Sequence, residues 1–133
     1  MTTTGMNVRT QEMVESIQRR CRLKPLLGLI FGSGLAPVVE SFSDYVTIPF
    51  KDIPHFPIPT VPGHPGNLIL GKIGGVAAAA LQGRVHIYEG YSMEQVAYPA
   101  RILGCLGIQR LIVTNAAGGI NPANRPGDLM LIT

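Results

Sequence analysis

The segment Leu26-Leu27-Gly28-Leu29-Ile30-Phe31-Gly32-Ser33-Gly34 decides the fold class of this chain. Its first six residues form a continuous apolar run, which is typical of a strand buried on both faces of a sheet. A glycine turn follows at once, and residues 35–42 then predict a short helix. Strand, glycine turn and helix in this order open an α/β unit. The backbone amides of such a turn, together with the Ser33 hydroxyl, can bind an oxyanion.

The other apolar patterns extend this unit into a sheet with helices. Two helices are predicted, at residues 9–22 and at residues 92–107, the second with a capping box at Ser92 and Gln95 and a kink or restart at Pro99. The predicted strands are residues 67–71 and 76–81, which form a hairpin, residues 110–114, which are buried, and residues 129–133. We therefore expect one α/β domain over residues 1–133, with residues 1–24 as an N-terminal helix region.

The composition excludes several classes of protein. Of 133 residues, 46% are hydrophobic and 14% are charged, so the chain can bury a large core and is not disordered. The net charge of +3 lies within residues 1–24, and the remainder balances six cations against six anions, which argues against nucleic-acid binding. We find no signal peptide and no apolar run long enough to span a bilayer. Cys21 and Cys105 match no metal spacing, so we expect a cytoplasmic protein with reduced thiols and no metal site.

A second segment, Leu81-Gln82-Gly83-Arg84-Val85-His86-Ile87-Tyr88-Glu89-Gly90-Tyr91, carries chemistry. Arg84, His86 and Tyr88 occupy alternate positions, and in an extended segment such side chains share one face. Val85 and Ile87 would then pack inward. The alternative is an ordinary half-buried strand with a polar outer face.

Two further pieces point towards an anion. The proline-rich loop 49–65 ends in Val61-Pro62-Gly63-His64, which puts a histidine on a rigid support, although a surface histidine is the alternative. The turn Asn115–Gly119 follows a predicted strand, and small residues there let the backbone approach a ligand or simply pack closely. Together with Ser33 and Arg84, these groups describe a site for free phosphate. No paired nucleophile and base is evident, which disfavours covalent catalysis.

At this point the sequence resembles a known family, the trimeric purine nucleoside phosphorylases. The resemblance is carried by Gly-Ser-Gly-Leu (32–35), Val-Pro-Gly-His (61–64), Gln-Gly-Arg-Val-His-Ile-Tyr-Glu-Gly-Tyr (82–91), Thr-Asn-Ala-Ala-Gly-Gly-Ile-Asn-Pro (114–122) and Pro-Gly-Asp-Leu-Met-Leu-Ile (126–132). The segment 82–91 favours these enzymes over the related methylthioadenosine phosphorylases. The family fold is a three-layer mixed sheet with flanking helices.

The resemblance implies reversible phosphorolysis of purine ribo- and deoxyribonucleosides to free base and pentose 1-phosphate by a homotrimer, without metal or organic cofactor. It implies that Ser33, His64, Arg84, His86 and the backbone of Ala116 bind phosphate. It also implies that Tyr88 lies beside the ribose, that Ala116, Ala117 and Gly118 line the base pocket, and that Glu89 orients His86. Residues His86, Tyr88 and Glu89 are the expected catalytic group.

Members of that family extend well over a hundred residues beyond the position of Thr133, and that half recognises the base. We therefore expect this chain to be an N-terminal portion, inactive alone. Two alternatives are a non-catalytic split or degenerate subunit that assembles with a partner chain, and a dinucleotide-binding oxidoreductase fragment. The second has only Gly32-Ser33-Gly34 in its favour, because Pro37 replaces the third glycine of that fingerprint.

Overall fold

The computed structural model describes residues 8–132, which form a five-stranded mixed sheet with helices packed on it. In chain order the elements are α1 (Val8–Arg20), β1 (Leu27–Phe31), β2 (Phe42–Pro49), β3 (Asn67–Ile73), β4 (Val76–Gln82), α2 (Met93–Cys105) and β5 (Arg110–Val113), with short 3-10 helices at Ala36–Ser41, Phe50–Asp52 and Ile87–Glu89. The α/β class and the mixed sheet are confirmed. The N-terminal residues 1–7 and Thr133 lie outside the described part. The signal-peptide prediction concerns this N-terminal segment and therefore also lies outside the described residues.

The strand order is β2-β3-β4-β1-β5, and the direction of β3 brings the site together. Strand β1 pairs in parallel with both β4 and β5, whereas β3 pairs antiparallel with β2 and β4. Strand β3 therefore runs opposite to the other four. As a result, the carboxyl ends of β1, β4 and β5 lie at the same end of the sheet as the amino end of β3. We call this end of the sheet, where these strands begin or terminate, the site edge.

Each face of the sheet buries its own apolar cluster, as the continuous apolar run of β1 predicts. On one face, Ile30 and neighbouring strand residues pack against Met13 and Ile17 of α1 and Ile102 of α2. On the other face, Leu29 and Phe31 pack in a second cluster together with Val39 of the first 3-10 helix. Strand β1 is thus covered on both sides, which fixes the glycine turn that follows it.

Several local predictions were wrong. The short helix expected at residues 35–42 is a 3-10 helix at Ala36–Ser41, and it leads directly into β2, which we did not predict. Among the described residues, strand β2 pairs with β3 alone and lies at the edge of the sheet. A register irregularity between Ser43 and Val46 interrupts the alternation of buried and exposed side chains, which leaves no clear strand pattern. Helix α2 continues through Pro99, so the expected restart does not occur.

The end of the described chain also departs from the prediction. All four residues of β5 are exposed, because neither apolar cluster formed by the described residues reaches this strand. Residues 129–132 form no strand and their side chains are exposed. The capping box of α2, by contrast, is confirmed, since Ser92 and Gln95 hydrogen-bond each other's backbone amides. No helix within residues 8–132 combines the length and the apolarity needed to cross a membrane.

We expect Gly32→Ala to destabilise the fold by about 1–3 kcal/mol, the usual cost of overpacking. A Cβ there would meet the Thr114 carbonyl oxygen at 2.6 Å and the Asn115 Cα at 2.8 Å, and backbone atoms cannot easily give way. Gly104→Ala in α2 is the control, because its Cβ would meet nothing within 4 Å and alanine favours a helix by about 0.5–1 kcal/mol. Urea unfolding measures both changes, and an unaltered stability of Gly32→Ala would contradict the close approach.

Candidate active site

Four chain segments converge at the site edge. Strand β4 leads into Arg84, β1 leads into Gly32, and β5 leads into Thr114. The proline-rich loop arrives through His64 immediately before β3, where the Gly66 N–H donates to the Gln82 carbonyl at 3.0 Å. Segments that are far apart in the sequence therefore meet because their strands end at the same edge.

Arg84 is held between two of these segments. Its Nη1 donates to the carbonyl oxygen of Thr114 at 3.0 Å, and its Nε donates to Nε2 of His86 at 3.3 Å. A guanidinium has five N–H donors in a fixed plane. The two bonds orient that plane and leave other donors for a ligand. A permanent cation with a fixed, planar set of donors suits a phosphate oxyanion.

His64 is held by the backbone of the neighbouring segment. The Arg84 N–H donates to Nδ1 of His64 at 3.2 Å, so the neutral ring carries its proton on Nε2. Burial lowers the pKa of His64 below its usual 6.5, and the electrostatic effects of His86 and Arg84 lower it further, against the opposing effect of Glu89. His64 is therefore a neutral hydrogen-bond donor at neutral pH.

Gly83 makes this close approach possible. Its φ is +105°, a conformation that residues other than glycine rarely adopt, and a Cβ would lie 3.0 Å from the His64 Cβ. The loop and the end of β4 can therefore pack together without a side chain between them.

His86 is bound to a carboxylate on its other side. Its backbone N–H donates to Oε1 of Glu89 at 2.7 Å, and its Nδ1 lies 3.0 Å from the same oxygen. Because a carboxylate only accepts, Nδ1 carries the proton and the Nε2 of the neutral ring accepts from Arg84. The expected orientation of His86 by Glu89 is present in this geometry.

The Glu89 carboxylate has two further donors. The N–H and the hydroxyl of Thr60 both donate to Oε2, at 2.6 and 2.7 Å. Burial alone would raise the pKa of Glu89, but the hydrogen bonds from Thr60 and His86 outweigh it and lower the pKa to about 2. The Glu89 side chain is 2% exposed, so this charge is stabilised almost entirely by protein donors.

The prediction that Arg84, His86 and Tyr88 share the face of an extended segment was only partly right. The chain leaves β4 at Gln82 and closes into a 3-10 helix at Ile87–Glu89. Val85 is buried as expected, but Ile87 is 57% exposed. The three side chains nevertheless lie together: the rings of His86 and Tyr88 stack with centroids 4.7 Å apart, and the His64 ring stands edge-on to His86 at 5.4 Å.

The remaining predicted residues lie on the turns that enter the site edge. Ser33 is exposed. Ala116, Ala117 and Gly118 are also exposed and follow Thr114 by two to four positions. Residues 8–132 contain no group of three or more histidine, cysteine or acidic side chains that could hold a metal ion.

Sequence reasoning missed Thr60 and Thr114. The Thr114 hydroxyl donates to the Ile30 carbonyl at 3.2 Å and accepts from the Gly32 N–H at 2.9 Å. Both threonines lie within motifs that we singled out, but their partners are 29 to 84 residues away in the chain. One local signal for the 3-10 helix at Ile87–Glu89 was also missed. Glu89 lies three residues after His86, and this spacing allows its side chain to cap a short helix.

The geometry agrees with comparisons to known proteins. A family model described as the phosphorylase superfamily matches residues 27–133. Purine nucleoside phosphorylase 1 of Bacillus subtilis is 48% identical over 128 residues, which is 96% of this chain and 47% of the relative. The chain thus spans about half the length of the curated relatives it matches.

Two solved structures show the same likeness. A purine nucleoside phosphorylase in complex with ribose-1-phosphate has a TM-score of 0.83 and 43% identity, over 90% of this chain and 44% of that one. The Schistosoma mansoni purine nucleoside phosphorylase in complex with inosine has a TM-score of 0.80 and 41% identity, over 92% of this chain and 43% of that one. Their fold matches this chain over almost all of its length.

We expect the stability of the fold to decrease as the pH falls below about 6.5, partly because of His64. Its folded-state pKa is below the unfolded value, so its contribution is fully present above 6.5 and is lost as the pH falls through the folded pKa. His64→Asn provides an amide oxygen in place of Nδ1 and removes the titration. Urea unfolding between pH 5 and 7 should give a shallower pH dependence for the variant, and equal slopes would contradict a neutral His64.

Proposed function

Since the chain belongs to the phosphorylase superfamily, we propose that it supplies the phosphate-binding and ribose-facing part of a site that cleaves purine nucleosides with phosphate. The observation that carries this proposal is the joint position of Arg84, His64 and His86 at the site edge. The names of the relatives, and the ligands of two solved structures, support it.

Phosphate binds through groups that differ in charge and geometry. Arg84 supplies the fixed cation, and the Nε2 proton of His64 supplies a neutral donor. The Ser33 hydroxyl and the Ala116 N–H add donors from the turns after β1 and β5. His86 completes the set once the arriving anion displaces the Arg84 Nε from its ring nitrogen.

The reaction needs positioning and electrostatics rather than a protein nucleophile. A phosphate oxygen attacks the anomeric carbon as the bond from that carbon to the purine nitrogen breaks, and the bonding electrons leave with the base. Positive charge develops on the pentose in the transition state, and the bound phosphate dianion stabilises it. Tyr88 lies beside the pentose, and Ala116, Ala117 and Gly118 line the side of the base. This chemistry needs neither a metal nor an organic cofactor.

A cytoplasmic homotrimer is part of the same proposal. Exposed apolar side chains on β5, such as Ile112 and Val113, and along residues 129–132 support further protein contacts, because apolar surface of this kind is usually covered. Sedimentation of the active protein tests the assembly, and a fully active monomer would contradict it.

Cleavage of inosine tests the reaction. In a protein of the relatives' full length that contains this chain, hypoxanthine should form only when phosphate is present, with ribose 1-phosphate as the second product. The chain alone should bind phosphate but give little or no turnover, because it spans about half the length of its relatives. Cleavage that needs no phosphate would contradict the proposal. Phosphate binding without cleavage in the full-length protein would instead favour the non-catalytic subunit.

We expect Arg84→Ala to weaken phosphate binding by about 2 kcal/mol or more, roughly 30-fold in Kd. The variant loses the fixed cation and also leaves the Thr114 carbonyl without its Arg84 donor. Arg101→Ala removes an exposed cation on α2 and should leave the affinity unchanged. Calorimetric titration with inorganic phosphate measures both, and an equal effect of the two substitutions would show that only net charge matters.

A further inference from the structure

Thr60 hydrogen-bonds the Glu89 carboxylate, and this carboxylate holds His86, one of the side chains that we expect to bind phosphate. We propose that Thr60 is a positioning residue, which fixes the Glu89 carboxylate so that Glu89 keeps the proton of His86 on Nδ1. The inference rests on the proposed function only in taking phosphate as the ligand of His86. The tautomer itself can be measured without any ligand.

The hydrogen bonds at Glu89 divide between two partners. Oε1 accepts from the backbone N–H of His86 and from its ring, and Oε2 accepts twice from Thr60. With both oxygens occupied, the carboxylate cannot rotate without breaking bonds on both sides. Thr60 therefore restricts the direction in which Oε1 faces the imidazole of His86.

A second contact prevents the loop from moving away. The Tyr91 hydroxyl donates to the Ile58 carbonyl at 2.7 Å and accepts from the Ile58 N–H at 3.3 Å. Residues 58–60 are thus tied to residues 89–91 at two places.

The same loop therefore sets both histidines in complementary states. His64 lies four residues after Thr60, and its Nδ1 accepts from the backbone, which places its proton on Nε2. His86 has the opposite arrangement, with the proton on Nδ1 and an accepting Nε2. One imidazole offers a donor and the other an acceptor, so the pair can bind a phosphate oxygen and a phosphate hydroxyl at the same time.

Removal of the Thr60 hydroxyl should be visible at Glu89 and His86. Thr60→Val keeps the shape and the backbone N–H but loses one charge-assisted hydrogen bond, which is worth roughly tenfold in an equilibrium constant. We expect the pKa of Glu89 to rise by about one unit and the Nδ1-protonated form of His86 to lose population. Thr60→Ser retains the hydroxyl and should behave like the parent.

Nitrogen-15 NMR of histidine-labelled protein gives the tautomers directly, since the chain has only three histidines. The expected result is a changed His86 spectrum in Thr60→Val and a parent-like His86 spectrum in Thr60→Ser. The spectrum of His55, which hydrogen-bonds Glu12, should be the same in all three proteins. An unchanged His86 in folded Thr60→Val overturns the proposal. So does a Thr60→Ser variant that behaves like Thr60→Val, because the retained hydroxyl would then have no effect on His86.

The parent protein provides a second test should Thr60→Val not fold. Carbon-13 NMR of the side-chain carboxyl groups should show Glu89 still ionised at pH 4, because its two oxygens accept four hydrogen bonds. Protonation of Glu89 above pH 4 overturns the proposal. Both tests are independent of nucleoside cleavage, so a protein that cleaves no nucleoside can still confirm or contradict the role of Thr60.

Discussion

The position of Arg84 depends on Thr114, where the ends of β1 and β5 are joined. The Thr114 N–H and hydroxyl both donate to the Ile30 carbonyl, and the hydroxyl accepts from the Gly32 N–H. Its own carbonyl then accepts from Arg84 at 3.0 Å. Because Gly32 has no Cβ, the two strand ends can approach closely enough for this network to form. The packed sheet thus fixes the guanidinium, and the site is arranged around that cation.

The charges at the site edge are arranged so that a carboxylate does not repel the expected anion. Glu89 is ionised, but its two oxygens accept four hydrogen bonds from Thr60 and His86. These donors therefore compensate its charge locally, and its contact with the imidazole of His86 is at Nδ1 rather than at Nε2. Burial and the neighbouring cation keep His64 neutral, so that it contributes a donor without a second positive charge. Arg84 supplies the permanent charge, and His64 and His86 supply hydrogen-bonding groups in fixed orientations.

The sequence allowed the frame of this fold to be predicted, together with the proximity of Arg84, His86 and Tyr88, and the errors have physical causes. Strand β1 and the β3–β4 hairpin have strong local patterns, namely a continuous apolar run and paired glycines. Strand β2 and the exposure of β5 could not be predicted, because they depend on which distant segments pair with these strands or pack on them. The 3-10 helix after His86 replaced the expected extended segment because Glu89 caps it. Thr60 and Thr114 were missed because their partners are distant in the sequence.

The central claim is that Arg84, His64 and His86 form one anion site, and the three histidines allow it to be tested within one sample. Nitrogen-15 NMR during a titration with inorganic phosphate reports each ring separately. Saturable shifts at His64 and His86 with a common Kd, and none at His55, which pairs with Glu12 on α1, are the expected result. Shifts of equal size at all three histidines, or at none of them, would contradict the claim.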